Sequence, residues 1–380
     1  MKVLCIFPGL TKKYNDNAYL LEYLANKGNQ LCVVAGRSPG LKGSGTLAPV
    51  EDMNGILILR LYRNLLHAFL FPYSQLAALL RITRQLRPDL IFCSEEMNMR
   101  IARLINRFYR APIVLQVEDA GKIASGELYG SLKWRVAFAA AGYPSGRNYW
   151  KWLVKSAQCV IALDPRDRSK LSELGSRDTP CYFVPWCSQI PSDYHAKPKV
   201  EGRGIYCGSL YDYKNTQEFE ATIPMLLDQT RTKEFVIVGG GASRHVALVR
   251  RLEKKYGERI RFLPEGLPRS KALELISSSE YGYTPVRKGG WGFTLDCWAV
   301  GTPLVMTHSD NGYVTPMSNA LVSNGISDLP STVELLYTDN MLYQKLRQKG
   351  FESYREHSPE EVGSRMLSIF EETLRRGLKV

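Results

Sequence analysis

The chain has 380 residues, 44% of them hydrophobic and 23% charged, with ordinary numbers of glycine (31) and proline (20). This composition excludes a disordered or collagen-like polymer and suffices for two or three buried cores. Of the formal net charge of +13, residues 1–200 carry +12 (27 Lys and Arg against 15 Asp and Glu) and residues 201–380 only +1, so the first half is expected to meet a polyanion, either an anionic membrane surface or nucleic acid.

A first strand reads at Val3–Phe7; the opening run carries one charge and is too short for a secretory leader. A helix follows from Asp16 to Asn26, where Leu20, Leu21, Leu24 and Ala25 recur at helical spacing and Gly28 sits at the expected C-cap. Further strands read at Leu31–Ala35, Ile56–Leu61, Asp89–Cys93, Pro112–Val117, Cys159–Leu163 and Tyr182–Val184. No window holds the ~20 uninterrupted apolar residues of a spanning helix. Residues 191–203, inside the polar and proline-bearing Cys187–Gly204 stretch, read as a linker. The alternation then restarts with strands at Ile205–Cys207, Phe235–Val238, Ile260–Leu263, Tyr281–Val286 and Pro303–Met306, and a helical pattern closes the chain from Pro359 to Leu374.

Continuous apolar strands alternating with helices imply parallel sheets covered on both faces. The expectation is an α/β chain of two tandem Rossmann-like domains, residues 1–190 and 204–358, followed by a C-terminal helix within 359–380. Ligands of such sheets bind beyond the strand carboxyl ends, which points to a cleft between the halves. Eight cysteines without a Cys-x-x-Cys pair suit a reducing cytoplasm and give no structural zinc. The histidines show no metal-ligand spacing.

Two basic stretches rich in aromatics hold much of the first-half charge, Arg60–Arg87 and Lys133–Lys155. Such interleaving suits an interfacial membrane surface, a single-stranded nucleic acid, or an apolar helix face packed on a sheet.

Three segments of the second half carry candidate chemistry. In Gly289–Val305, glycines at 289, 290 and 292 let a ligand approach the backbone. Thr294 is placed to cap a helix over Leu295–Ala299, whose free N–H groups would meet a diphosphate, and Asp296 can accept from ribose hydroxyls. Phe293 lies between Gly292 and Thr294 in the same backbone cradle. In Gly208–Asn215, after a strand, Lys214 is placed to neutralise a diphosphate leaving group. Val236–Gly241 ends in a glycine turn that includes Gly240, without a G-x-G-x-x-G fingerprint. Each has a plain structural alternative: a glycine turn before a helix, a solvated lysine, a tight loop.

Together, and in this order, the three segments resemble the donor domain of GT-B glycosyltransferases, especially glycosyltransferase family 4. Lys214 matches that family's phosphate lysine, and Leu295–Pro303 matches the end of its long glutamate-bearing segment, with Asp296 on the ribose-binding glutamate. The family's first glutamate falls on Lys288 and its arginine on Ser209, which leaves inversion or retention open and puts Lys288 near donor phosphates or a sugar carboxylate. The resemblance implies hexosyl transfer from a nucleotide-diphosphate sugar, without metal or other cofactor, in glycan biosynthesis. It also implies a terminal helix that crosses back to the first domain, and a lipid-linked or saccharide acceptor. Such an acceptor favours an anionic membrane over nucleic acid as the partner of the basic half, and places the protein peripherally on the inner face of the membrane.

For a general base the sequence offers Asp119, then Glu118, at the end of the Pro112–Val117 strand. Their plain alternative is a cap, or a pair with Lys122. Glu95–Glu96 is a similar carboxylate pair, better suited to an acceptor pocket or a cap. Two other readings stay open, a nucleotide-sugar 2-epimerase and a nucleic-acid-binding or scaffold protein with a decayed sugar site.

Overall fold

The computed structural model describes residues 1–7, 17–36, 48–62, 74–94, 99–117, 146–174, 179–286, 291–309 and 312–377. The chain forms two compact units, Met1–Cys187 with Pro359–Val380, and Ser188–Ser358.

In the first unit, β1 (Lys2–Ile6), α1 (Asn17–Asn26) and β2 (Gln30–Gly36) lead into a hairpin, β3 (Val50–Met53) and β4 (Ile56–Tyr62). Then come α2 (Leu76–Leu86), β5 (Leu90–Ser94), α3 (Met99–Tyr109), β6 (Ile113–Val117), α4 (Gly146–Ser156), β7 (Cys159–Ala162), α5 (Pro165–Leu174) and β8 (Cys181–Phe183). The sheet runs β3-β4-β2-β1-β5-β6-β7-β8. Only β3 is antiparallel to its neighbour. The sequence reading omitted β3, whose VEDM carries too little apolar pattern to register.

Two helix layers cover this sheet. On one face α2, α3 and α4 insert Leu79, Leu86, Ile101, Ile105, Trp150 and Leu153. On the other lie α1 and the last helix of the chain, Pro359–Gly377. That last helix buries Val362, Met366, Ile369 and Phe370, at roughly 1.5–3 kcal/mol per side chain. Its Gly363 lets the Tyr23 ring of α1 close in, and Tyr23 Oη lies 3.0 Å from Ser364 Oγ.

The basic, aromatic stretches divide in a way their composition conceals. Arg60 is 1% exposed, paired with Glu51 on β3 and donating to the Ala48 carbonyl at 3.0 Å. It faces the core because β4 alternates inward and outward, so it is no surface cation. Tyr149 and Trp150 are core residues, so their part of Lys133–Lys155 belongs to the packed face, not to a membrane interface.

The second unit holds β9 (Arg203–Cys207), α6 (Phe219–Gln229), β10 (Glu234–Val238), α7 (Ser243–Tyr256), β11 (Ile260–Leu263), α8 (Arg269–Ser278) and β12 (Tyr281–Thr284). After these come α9 (Trp291–Ala299), β13 (Leu304–Met306), β14 (Leu321–Val322), α10 (Leu329–Thr338) and α11 (Asn340–Arg355). The order β11-β10-β9-β12-β13-β14 is parallel throughout. It reverses direction between β9 and β12, the switch point where open α/β sheets take ligands. The segment read as a linker packs on this unit: Lys197 N donates to Ser277 Oγ at 3.1 Å and Val200 N to the Ser278 carbonyl at 2.8 Å.

Among the described residues no helix is long and apolar enough to cross a membrane. All eight cysteines are free thiols.

Candidate active site

The loops after β9, β10 and β12 meet at the switch point of the second unit. After β9 the chain passes through Gly208–Tyr211 into a 3-10 turn, Asp212–Lys214, ended by Asn215 in the left-handed region (φ 53°). Asn215 Nδ2 donates to the Pro285 carbonyl beyond β12 at 3.1 Å, so the turn carrying half-buried Lys214 is fixed across the switch point.

Asp212 fixes the same turn from the other side. Its Oδ1 lies 2.7 Å from His245 Nε2, and Arg244 pairs with its Oδ2. The His245 hydrogen bond, then that of Arg244, holds the Asp212 carboxyl below its ordinary value. Both partners lie in the first turn of α7. The sequence reading gave His245 no role, since its partner lies 33 positions away.

The glycine turn after β10 serves backbone crowding. Leu210 N donates to the Gly240 carbonyl and Ala242 N to the Leu210 carbonyl, both at 2.9 Å. A Cβ on Gly241 would overlap the Leu210 carbonyl, and one on Gly240 would stand 2.6 Å from the Pro264 carbonyl. What Gly240 approaches closely is therefore the β11 loop. Ser209 is partly buried, and its carbonyl accepts from Tyr206 Oη at 3.0 Å.

Helix α9 begins at Trp291, four residues before the expected start. Thr294 is accordingly inside the helix and 1% exposed, not its cap. Phe293 is a core ring, 5.6 Å from Tyr206 between centroids. Packing of Phe293, Thr294 and Cys297 on the sheet extends the helix through Gly292 in spite of glycine's poor propensity. The first four amides of α9, those of Trp291 to Thr294, have no partner within the helix, and they form its positive end.

Gly292 and Asp296 stand one turn apart on the same face of α9. That face is open at the top: among the described residues nothing lies within 4 Å of where a Gly292 Cβ would be. Below it, Asp296 Oδ1 accepts from Arg269 Nη2 at 2.7 Å, and the same nitrogen donates to Ser188 Oγ at 2.8 Å. Arg269 and Ser188 were missed. One signal was available: Arg269 follows Pro268 at a helix start, where a cation opposes the dipole and calls for an outside partner.

These arrangements suit anion binding at a helix N-terminus, with a carboxylate one turn further in. Residues 17–187 match the family model described as "Glycosyl transferase 4-like domain". No curated protein matches the chain by sequence. Among solved structures, sucrose-phosphate synthase from Thermosynechococcus elongatus is similar at 15% identity, with 98% of this chain and 99% of that one covered (TM-score 0.77). Anabaena HepE in complex with UDP and glucose is similar at 13% identity over 98% and 99% (TM-score 0.69). A UDP-forming α,α-trehalose-phosphate synthase from Burkholderia xenovorans is similar at 14% over 98% of each chain (TM-score 0.65).

The chain has the GT-B fold, and its residues 17–187 match a glycosyltransferase 4-like domain.

Of the residues singled out from sequence, Lys214 lies on the turn that Asn215 ties to Pro285 beyond β12, and Gly292 and Asp296 share one face of α9. Phe293 and Thr294 offer a ligand only their backbone. Asp119, Glu118, Glu95, Glu96 and Lys288 lie outside the described residues. Among the described residues no group of three His, Cys, Asp or Glu side chains is gathered as for a metal ion.

Proposed function

We propose that this protein is a glycosyltransferase that moves a sugar from a nucleoside-diphosphate donor to an acceptor hydroxyl, with a lipid-linked glycan or saccharide as acceptor and no metal. The observation that supports the reading is the α9 N-terminus, open at Gly292 among the described residues. The acceptor oxygen attacks the anomeric carbon, and the bond to the diphosphate breaks with its electron pair on the leaving oxygen. Lys214 and the amides of Gly292 to Thr294 stabilise that charge. Asp119, with Glu118 beside it, takes the acceptor proton, Lys288 approaches the donor phosphates, and Asp296 holds the ribose. The UDP and glucose bound by HepE, and the UDP formed by the trehalose-phosphate synthase, support UDP as the first donor to test.

Thermal unfolding with UDP, GDP, ADP, CMP and TDP, with and without Mg²⁺, tests this. At a hundred times its dissociation constant a diphosphate adds about 2.7 kcal/mol, a visible rise in Tm. One nucleotide is expected to stabilise the protein without metal, and Lys214→Ala to weaken its binding by about 1.5–3 kcal/mol. No response to any of the five would overturn the reading.

The basic half supports peripheral docking on an anionic membrane, on the inner face of the cytoplasmic membrane. Arg81, Arg84, Arg103, Arg107, Lys151 and Lys155 are exposed on α2, α3 and α4, and these helices carry no Asp or Glu. Phe108 beside them is 63% exposed. Each cation near such a surface contributes about 1 kcal/mol. Binding to vesicles containing phosphatidylglycerol, but not to purely zwitterionic ones, is expected to fall away with Lys151→Glu/Lys155→Glu and with added salt. Retention on single-stranded oligonucleotides with no vesicle binding would reverse the assignment of partner.

A further inference from the structure

Asp296 belongs to a closed circuit of side chains that begins and ends on α9. From Asp296 Oδ1 it runs through Arg269 Nη2 to Ser188 Oγ, over 2.7 and 2.8 Å. Ser188, 2% exposed, donates its N–H to the His357 carbonyl at 2.8 Å. The buried His357 ring stands edge-on to Tyr313 (4.9 Å, 64°), and Tyr313 stands edge-on to Trp291 (4.4 Å, 87°). Trp291 is the first residue of α9, and Asp296 is the sixth.

A carboxylate held by one oxygen loses its freedom to rotate, and its second oxygen then points in a fixed direction. Asp296 Oδ2 accepts no hydrogen bond among the described residues, while Asp296 lies one turn below the open Gly292 position. Arg269 opens α8, where the helix dipole disfavours a cation. A residue in that place gains nothing from the dipole, and its Nη2 serves both Asp296 and Ser188 at this corner. Ser188 in turn holds the same guanidinium nitrogen that reaches Asp296.

We propose that Arg269, backed by Ser188, is a positioning residue for donor recognition. It holds Asp296 so that Oδ2 receives the ribose 2′-hydroxyl, which makes the site selective for ribonucleotides over 2′-deoxyribonucleotides. This rests on the nucleotide-donor reading above. Ordering the carboxylate before the ligand arrives removes an entropic cost from binding, and a site built to take a hydroxyl rejects the analogue that lacks it.

The test is titration calorimetry of the full-length protein with UDP and 2′-deoxy-UDP, or with the corresponding pair for whichever nucleotide the thermal screen selects. The wild type is expected to prefer the ribonucleotide by at least about tenfold. Asp296→Asn should reduce this preference to near unity. Arg269→Ala should do the same with Asp296 intact, leaving 2′-deoxy-UDP affinity within about threefold of wild type. Arg269→Lys and Ser188→Ala, which disturb the fold less, should give intermediate ratios. Equal weakening of both nucleotides in the Arg269 variants, with the ratio preserved, would overturn the positioning role. A wild type that binds both nucleotides equally overturns it too, yet leaves the donor reading standing. A wild type that binds neither removes the donor reading itself.

Discussion

Gly292→Leu leaves the protein folded and abolishes donor binding. A helical Cβ tilts toward the helix N-terminus, so a side chain at position 292 spreads over the amides of the first turn of α9. In the free protein it is expected to fit, because among the described residues no atom lies within 4 Å of the Cβ position. Glycine inside a helix costs about 0.5–1 kcal/mol relative to alanine. Gly292→Ala is therefore expected to raise Tm by about 2 °C while already weakening the nucleotide. Gly292→Leu is expected to keep a wild-type Tm and to lower nucleotide affinity by about a hundredfold or more, since it displaces the phosphate from its donors. Melting curves read beside titrations check both. Unchanged affinity in the leucine variant would mean that the donor lies elsewhere.

Gly241→Ala has the opposite signature. The added Cβ would overlap the carbonyl of Leu210, a backbone group that cannot rotate aside. Leu210 is fully buried, and its amide and carbonyl are both bonded to the glycine turn. Relief requires the loops after β9 and β10 to separate, at a cost of about 3 kcal/mol or more. For a unit of this size that lowers Tm by about 6–12 °C. The turn that carries Lys214 moves with the β9 loop, so nucleotide affinity should fall as well. A melting curve within 2 °C of wild type would show that the loops yield easily.

What could be read from the sequence follows a physical boundary. Strands such as Cys159–Ala162 and Phe235–Val238 announce themselves through unbroken apolar runs, because burial on both faces leaves no polar positions. Lys214 and Asp296 were found because their neighbours in the chain carry a recognisable pattern. The ion pair from Asp296 to Arg269 spans 27 positions, and no local periodicity encodes which distant guanidinium reaches a given carboxylate. The start of α9 was misplaced because glycine's propensity argues against helix while the packing of Phe293 and Cys297, invisible locally, argues for it. Arg60 and Trp150 show the limit of composition. A basic, aromatic stretch looks the same whether its arginine meets lipid or a glutamate on the neighbouring strand.

The return of the last helix to the first unit has a consequence for synthesis. Leu20, Leu21, Leu24 and Phe92 lie in the same core cluster as Val362, Met366, Ile369 and Phe370, and Phe92 packs directly on Phe370 (5.4 Å). On the ribosome the first 187 residues emerge long before that cover does. The second unit, continuous from Ser188 to Ser358, has its whole chain available while the first still exposes an apolar face. The half made first is thus the half finished last, and a nascent chain stalled within the second unit presents chaperones with an open sandwich rather than a folded domain.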